Sequence, residues 1–537
     1  MRQSGWAVWL WLLVLNCAGF FLFPGHTILQ SDTLIYIPIL EHLQDPSLLR
    51  NDLIATRPHV SFTAYDEVAL LLRRLTGASF EWILMLQQFV YRFCGLAGAY
   101  LLARSTGLSA SLAILGGSLV TLGAAVLGPA VLTVEYEPVP RGFGLAFELF
   151  ALGLLATGRS RAAALATGLA FLFHPNTALP FWGLLFLIAL WKRQWGQGTL
   201  LLIAPVLLTV LMLAQGRGAE SQPIFGTIPP MLEAIQRYRA SYNWVSMWLD
   251  LWWLHYLIIW LVSIAAYWRV KDRLSLELRA LALGLPFIGL LSVPLSYLLT
   301  ELYKWVLMPQ FQPGRYLVYT VLFAVLLAGI AGAWAIQKGR RLEAAGFLFF
   351  VFLVPTVPNL GYVRWERSTG QVLLVLAMAI AGTLLVSWRP FLAGAFAIVP
   401  FIVIPTVAGV QNYPPLHNDE LDDLARWAKA NTDRDAVFQF YNAGRALEPA
   451  VFRVRAVRAL YVDWKGGGQV NFLPAFAEVW WVRWNQVQHA KSPAALAEFG
   501  VDYAVMSKSE FDETKPKCPV AFQNNRWVVL RLARQVP

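Results

Sequence analysis

Carboxylates and cationic side chains recur at one kind of place in this chain, just where long apolar runs end. Asp32 follows the first such run, and Asp52, Arg57 and His59 lie in the same polar stretch. Glu135, Glu137 and Arg141 fall together in "VEYEPVPRGF", and His174 lies in "FHPNT". Lys304 and Arg315 bracket "KWVLMPQFQPGR", and Arg364, Glu366 and Arg367 share "YVRWERS". Ionisable groups at a bilayer edge are costly and usually face a cavity or a partner. A carboxylate beside arginines suits transfer of a sugar from a lipid-linked phosphate. The carboxylate takes a proton from an acceptor hydroxyl, and the arginines hold the phosphate through paired N–H groups as it leaves with its charge.

On this reading Asp32 is the base, and Arg57, Arg141, His174 and Arg315 are phosphate ligands. Each has a plainer alternative. Asp32 is also placed to cap a helix starting at Thr33. Arg141 and Arg315 suit snorkelling at helix ends, and His174 before Pro175 suits a cap. Asp52 and Asp66 read as loop and cap residues. Glu135 and Glu137, two apart in an extended loop, point the same way. With Asp32 they form a potential oxygen-ligand set for a divalent metal.

The elements that must position these groups are membrane spans. The chain is 57% hydrophobic and 14% charged, with 23 tryptophans among 537 residues, too apolar for a dispersed soluble protein. Apolar runs predict about thirteen helices of spanning type. They lie near 6–23, 80–102, 108–127, 142–157, 162–177, 178–192, 199–214, 251–268, 277–299, 315–336, 342–357, 371–388 and 390–410. The stretch 162–192 reads as two short spans or one hairpin, broken at "FHPNTALP". No small-x-small cleavage site follows the first run, which is therefore read as a retained span.

Alternate loops "RSTG", "GRSR", "WKRQW", "RVKDR", "QKGRR" and "SWRP" are short and basic, the positive-inside pattern. The N-terminus is then expected in the cytoplasm, with the acid-bearing loops and residues 411–537 outside. The net charge of +11 needs no nucleic acid, because much of it is this collar of Arg and Lys.

The expected organisation is a mainly α, polytopic membrane domain over 1–410 and a small α/β domain over 411–537, large enough to bury its own core. The long first outer loop, 24–79, carries "DTLIYIPILEHL" and "DEVALLLRRLTG", which read as helices lying along the membrane surface. In the tail, "DELDDLARWAKANT" and "SPAALAEF" predict helices, and "AVFQFY", "VDYAVMSK" and "RWVVLRLA" predict strands. "YNWVSMWLDLWWLHY" reads as an interfacial aromatic belt, whereas "EVWWVRWNQ" suits a core, a docking surface or a glycan platform. "WKGGGQ" lacks the Gly-Lys-Ser/Thr ending of a phosphate loop, which argues against ATP there. The three cysteines have no zinc spacing.

Asp32 after the first span, the surface helices of 33–76 and the "FQPGRY" arginine opening a late span together resemble the GT-C superfamily of polytopic glycosyltransferases. That group includes protein O-mannosyltransferases and the aminoarabinose transferases of lipid A. The tail is also similar to an uncharacterised bacterial family of such membrane proteins. The resemblance implies a polyprenyl-phosphate-linked donor, a glycan, lipid or protein acceptor, and a catalytic acid early in the first outer loop of a bacterial inner-membrane protein. Here Asp32 stands between Ser31 and Thr33, without the adjacent second acid usual in that family. Two other readings stay open: a non-catalytic assembly protein of the same fold, and a flippase for lipid-linked saccharide.

Overall fold

A computed structural model describes residues 5–57, 63–215, 225–248, 251–354, 369–408, 412–413, 415–472 and 474–533. His59, Arg364, Glu366 and Arg367 lie outside the described residues. Every expected apolar run contains a helix. In chain order these are α1 (Gly5–Phe21), then, after α2 (Thr33–Gln44) and α3 (Tyr65–Thr76), α4 (Phe80–Ser105), α5 (Ala110–Ser118), α6 (Pro140–Ala156), α7 (Ser160–Phe173), α8 (Pro175–Trp191) and α9 (Trp195–Gln215). The short α10 (Pro230–Arg239) precedes α11 (Trp252–Val270) and α12 (Leu276–Ser296). The single turn α13 (Met308–Phe311) leads into α14 (Leu317–Gln337), α15 (Arg341–Leu353), α16 (Thr369–Trp388) and α17 (Ala393–Ala408). The 162–192 region resolves into two helices that turn at His174.

By length and composition, four described helices suffice to cross a membrane: Trp252–Arg273, Leu276–Leu302, Met308–Gln337 and Thr369–Trp388. The remaining apolar helices are shorter, or, like α4 and α6, carry charges. The chain is a polytopic helical membrane protein. Its central helix is α14, whose span is 94% buried by its neighbours. Helices α4 and α6 meet at Gly98 and Gly153, where a Cβ on Gly98 would lie 2.1 Å from the Leu149 carbonyl oxygen. Only glycine allows backbones that close. The basic loops meet at one end: Gln337 accepts from the Ser109 N–H at 3.0 Å, and Arg273 and Lys338 both lie over Trp334.

At the other end sit α2, α3, α10 and the chain beyond 411. A two-residue hairpin, β1 (Ala125–Val126) with β2 (Val131–Leu132), lies between α5 and α6. The C-terminal unit has a five-stranded sheet of β3 (Val437–Phe440), β4 (Ala459–Leu460), β5 (Tyr503–Ser507), β6 (Val520–Gln523) and β7 (Trp527–Arg531), in the order β4-β3-β5-β7-β6. The first three are parallel and the hairpin β6–β7 is antiparallel. Helices α18 (Asp419–Asn431), α19 (Glu448–Ala456), α20 (Pro474–Gln488) and α21 (Lys508–Thr514) accompany it. Asn418 caps α18 by accepting the Leu421 N–H at 2.9 Å. Gly500, at φ 80, ends the 3-10 helix that stands where an α-helix was expected.

The buried clusters of this unit extend beyond it to α2. Leu34 and Ile37 of α2 share one cluster with Leu421, Phe438, Val451 and Val505. Ile35 and Ile39, on the other flank of α2, share a second with Val470, Trp480 and Val528. Helix α2 is apolar on two sides because two layers close on it. Trp480 and Trp484 are buried there, so one face of "EVWWVRWNQ" is core while Val482 is exposed. The aromatic belt is divided: Trp253 is exposed, while Trp244 is fully buried beneath Arg237.

Candidate active site

Between α2, the N-terminal ends of α6 and α8, and the turn preceding α14 lies a cavity of about 560 Å³. Of the residues singled out in the sequence, Asp32, Glu135, Arg141, His174 and Arg315 line it, whereas Arg57 and Glu137 do not. Its polar part holds Arg141, Arg239, Arg315 and Lys465 against two carboxylates, Asp32 and Glu135. This is a cationic surplus of two. Phe171 of α7 and Pro205 and Leu208 of α9 supply an apolar wall. Elsewhere α9 presents Ile203, Val206 and Val210 outward.

Glu137 explains why Asp32 can face the cavity. Asp32 stands at the N-cap of α2 but its side chain makes no capping bond. Glu137 takes that role instead. It accepts the N–H groups of Gln30, Ser31 and Thr33 at 2.7, 2.8 and 3.1 Å, and the Thr33 hydroxyl at 2.7 Å. Burial pushes the Glu137 carboxyl above the usual range, against the lowering effect of these bonds.

With the helix terminus satisfied, Asp32 is left to pair with side chains. Its Oδ1 accepts from Lys465 Nζ at 2.7 Å and its Oδ2 from Arg141 at 2.8 Å. Burial pushes the Asp32 carboxyl up, and the charges of Lys465 and Arg141 overcome it, holding the group well below the ordinary aspartate range. Asp32 is therefore ionised at neutral pH.

Arg141 also holds Glu135, through Nε at 2.5 Å and Nη2 at 3.3 Å. Gly142 makes this possible, since a Cβ there would meet the Glu135 Cβ at 2.8 Å. Arg315 lies over the Tyr242 ring at 5.2 Å, and its buried Nε has no hydrogen-bond partner among the described residues. His174 caps α8 by accepting the Thr177 N–H through Nδ1 at 3.1 Å, which places a neutral ring's proton on Nε2.

The expected metal ligand set does not fit this geometry. Arg141 sits between Asp32 and Glu135, and Glu137 is engaged with backbone. Among the described residues no three His, Cys, Asp or Glu side chains are grouped to hold a metal ion. Arg57 stands in the turn after Asp52 and is not among the residues that line the cavity.

Sequence reasoning missed Lys465, Arg239 and Tyr242. Lys465 stands in "WKGGGQ", set aside because it is not a phosphate loop. Its signal was the run of three glycines, which marks a backbone pressed against something else. A Cβ on Gly467 would lie 2.4 Å from the Trp480 ring.

No protein-family model and no curated relative matches the chain. Among solved structures the chain is similar to ArnT from Cupriavidus metallidurans bound to undecaprenyl phosphate, at 17% identity and a TM-score of 0.49 over 98% of each chain. It is similar to the apo state of ArnT from the same organism at 15% identity and a TM-score of 0.45, covering 99% of this chain and 98% of that one. It is also similar to the arabinofuranosyltransferase AftD from Mycobacteria, at 13% identity and a TM-score of 0.42. That match covers 93% of this chain and 35% of AftD.

Proposed function

We propose that this protein is a glycosyltransferase of the bacterial inner membrane, taking a sugar from a polyprenyl-phosphate-linked donor and passing it to a hydroxyl-bearing acceptor. The basic loops lie in the cytoplasm, and the cavity and the C-terminal unit lie outside. The observation that carries this reading is the shared cavity of Asp32 and Arg315, lined both by a surplus of cations and by apolar residues of α7 and α9. An anionic headgroup with a hydrocarbon tail matches both walls.

In the proposed step Asp32 accepts the proton of the acceptor hydroxyl, whose oxygen bonds to the anomeric carbon as the bond from that carbon to the phosphate oxygen breaks. The electron pair leaves with the phosphate, which changes from a singly charged diester to a monoester of higher charge. Arg141 and Arg315 stabilise that growing charge, and His174 adds an Nε2–H donor. The paired state of Asp32 also favours a second reading, an assembly protein of the same fold without activity.

One assay separates the two. Full-length protein in proteoliposomes is given decaprenyl-phosphate-linked sugars and a membrane extract as acceptor source, and released decaprenyl phosphate is measured. Release that needs Asp32 supports the transferase. Release equal in wild type and Asp32→Asn removes Asp32 as base, and no release with any sugar favours the assembly protein.

A further inference from the structure

Lys465 is the one cation of the cavity that comes from the C-terminal unit, and its surroundings hold its backbone while leaving its side chain exchangeable. Arg239 Nε donates to the Trp464 carbonyl at 2.8 Å and Nη2 to the Lys465 carbonyl at 3.3 Å, while its guanidinium lies over the Trp464 ring at 4.5 Å. Asp463 accepts the Gly466 N–H at 3.3 Å and is itself held by Arg453 at 3.0 Å. The Trp480 indole N–H donates to the Asp463 carbonyl at 3.0 Å. A Cβ on Gly466 would lie 2.6 Å from Ile54 Cδ1 and 2.7 Å from Asp463 Oδ1, so this turn packs closely against the loop that follows α2. The loop is clamped from three directions.

The ammonium beyond it has weaker ties. Its hydrogen bonds run to the Asp32 carboxylate at 2.7 Å and the Ser31 hydroxyl at 3.2 Å. Arg141, the other cation on Asp32, is anchored at its far side by two bonds to Glu135. Arg239 is spent on two carbonyls and an indole. A phosphate entering beside Arg315 therefore competes with Asp32 chiefly for Lys465. A lysine suits such an exchange, because its charge sits on a flexible four-carbon stem with rotatable donors.

We propose that Lys465 is a phosphate ligand of the substrate, held by Asp32 while the site is empty, and that its transfer to the phosphate releases Asp32 to act as base. This rests on the transferase reading and adds to it that the base is unmasked only in a loaded site. The C-terminal unit is thereby part of the active site.

Competition makes a prediction opposite to that of a structural salt bridge. Removing the Asp32 charge frees Lys465, so Asp32→Asn binds phosphate more tightly than wild type, by about five- to tenfold. Lys465→Met binds it more weakly, and Asp32→Asn then adds little in the Lys465→Met background. Lys465→Arg restores most of the binding.

The test is equilibrium binding of decaprenyl phosphate, and separately of inorganic phosphate, to the full-length protein and these variants in detergent. A gain of affinity in Asp32→Asn cannot arise from misfolding. Tighter binding that depends on Lys465 supports the inference. If Asp32→Asn binds no more tightly, or gains equally without Lys465, the exchange is overturned while the transferase reading stands. If inorganic phosphate follows the expected pattern and the lipid phosphate does not bind, the exchange holds and the lipid-linked donor is overturned. If neither binds wild type, both fall.

Discussion

Two ion clusters lie where the C-terminal unit meets α2, and they are built in opposite ways. In the first, Arg453 lies 3.0 Å from Asp463 and 3.8 Å from Asp52, with all three side chains at most 3% exposed. Its carboxylates are also tied to backbone. Asp52 accepts the N–H groups of Ile54, Ala55 and Leu460, and Arg453 donates to the Leu34 carbonyl at 2.9 Å. In the second, Asp32 is 23% exposed and its carboxylate pairs with the side chains of Arg141 and Lys465 at the edge of a cavity. The side chains of the first cluster are almost wholly buried, whereas Asp32 of the second lines a cavity. Charges tied to backbone lock a structure, while charges tied to each other beside a cavity are available to a ligand.

Breaking each cluster should therefore fail differently. Asp32→Asn is expected to lower sugar transfer by about 10²–10⁴-fold, the usual share of a general base. Its thermal unfolding midpoint should fall only slightly, since Arg141 keeps Glu135. A midpoint that collapses with the activity would make the Asp32 cluster structural. Arg453→Met should do the reverse, costing about 3–5 kcal/mol of stability by leaving two buried carboxylates without their cation. Denaturant unfolding of the purified protein measures this, and a stable variant would erase the contrast.

Glu137→Ala tests the division of labour at the start of α2. It should cost about 1–3 kcal/mol through orphaned buried N–H groups, and transfer should fall because Asp32 is drawn back to cap its own helix. Crystallographic or cryo-EM placement of Asp32 in that variant decides the second point.

The smallest effect is in pH. The folded Asp32 carboxyl lies well below 3.8, held down by Lys465 and Arg141 against burial. A depressed carboxyl stabilises the fold above its unfolded value and loses that contribution as pH falls through its folded value. The difference in unfolding midpoint between wild type and Asp32→Asn should thus be constant from neutral pH to about 4 and shrink only below it. A difference already lost at pH 5 would mean that Asp32 is not doubly paired.

Much of the fold was legible because lipid imposes a simple demand. Spanning segments must be apolar and helical, so each run announced itself, down to the break at His174. Three of the tail's five strands, β3, β5 and β7, were legible too, from short apolar runs bounded by turn residues, whereas β4 and β6 were not. The site was legible in part. Asp32, Glu135, Arg141, His174 and Arg315 stand beside apolar runs, and the structure gathers all five around one cavity. Glu137 looked the same as Glu135 in sequence, yet it turns to the terminus of α2, because orphaned N–H groups there outcompete an open site for a buried carboxylate. Arg57 has the same residue type and does not line this cavity.

The amino-acid sequence alone determined where helices form, which loops are basic and which residue types could do chemistry. These depend on local periodicity and on the partition of side chains between water and lipid. Only the tertiary structure decided which charges meet. Lys465 and Asp32 are 433 positions apart, and their pairing follows from the C-terminal unit closing its core on both flanks of α2. That is a matter of long-range packing, and no local pattern encodes it.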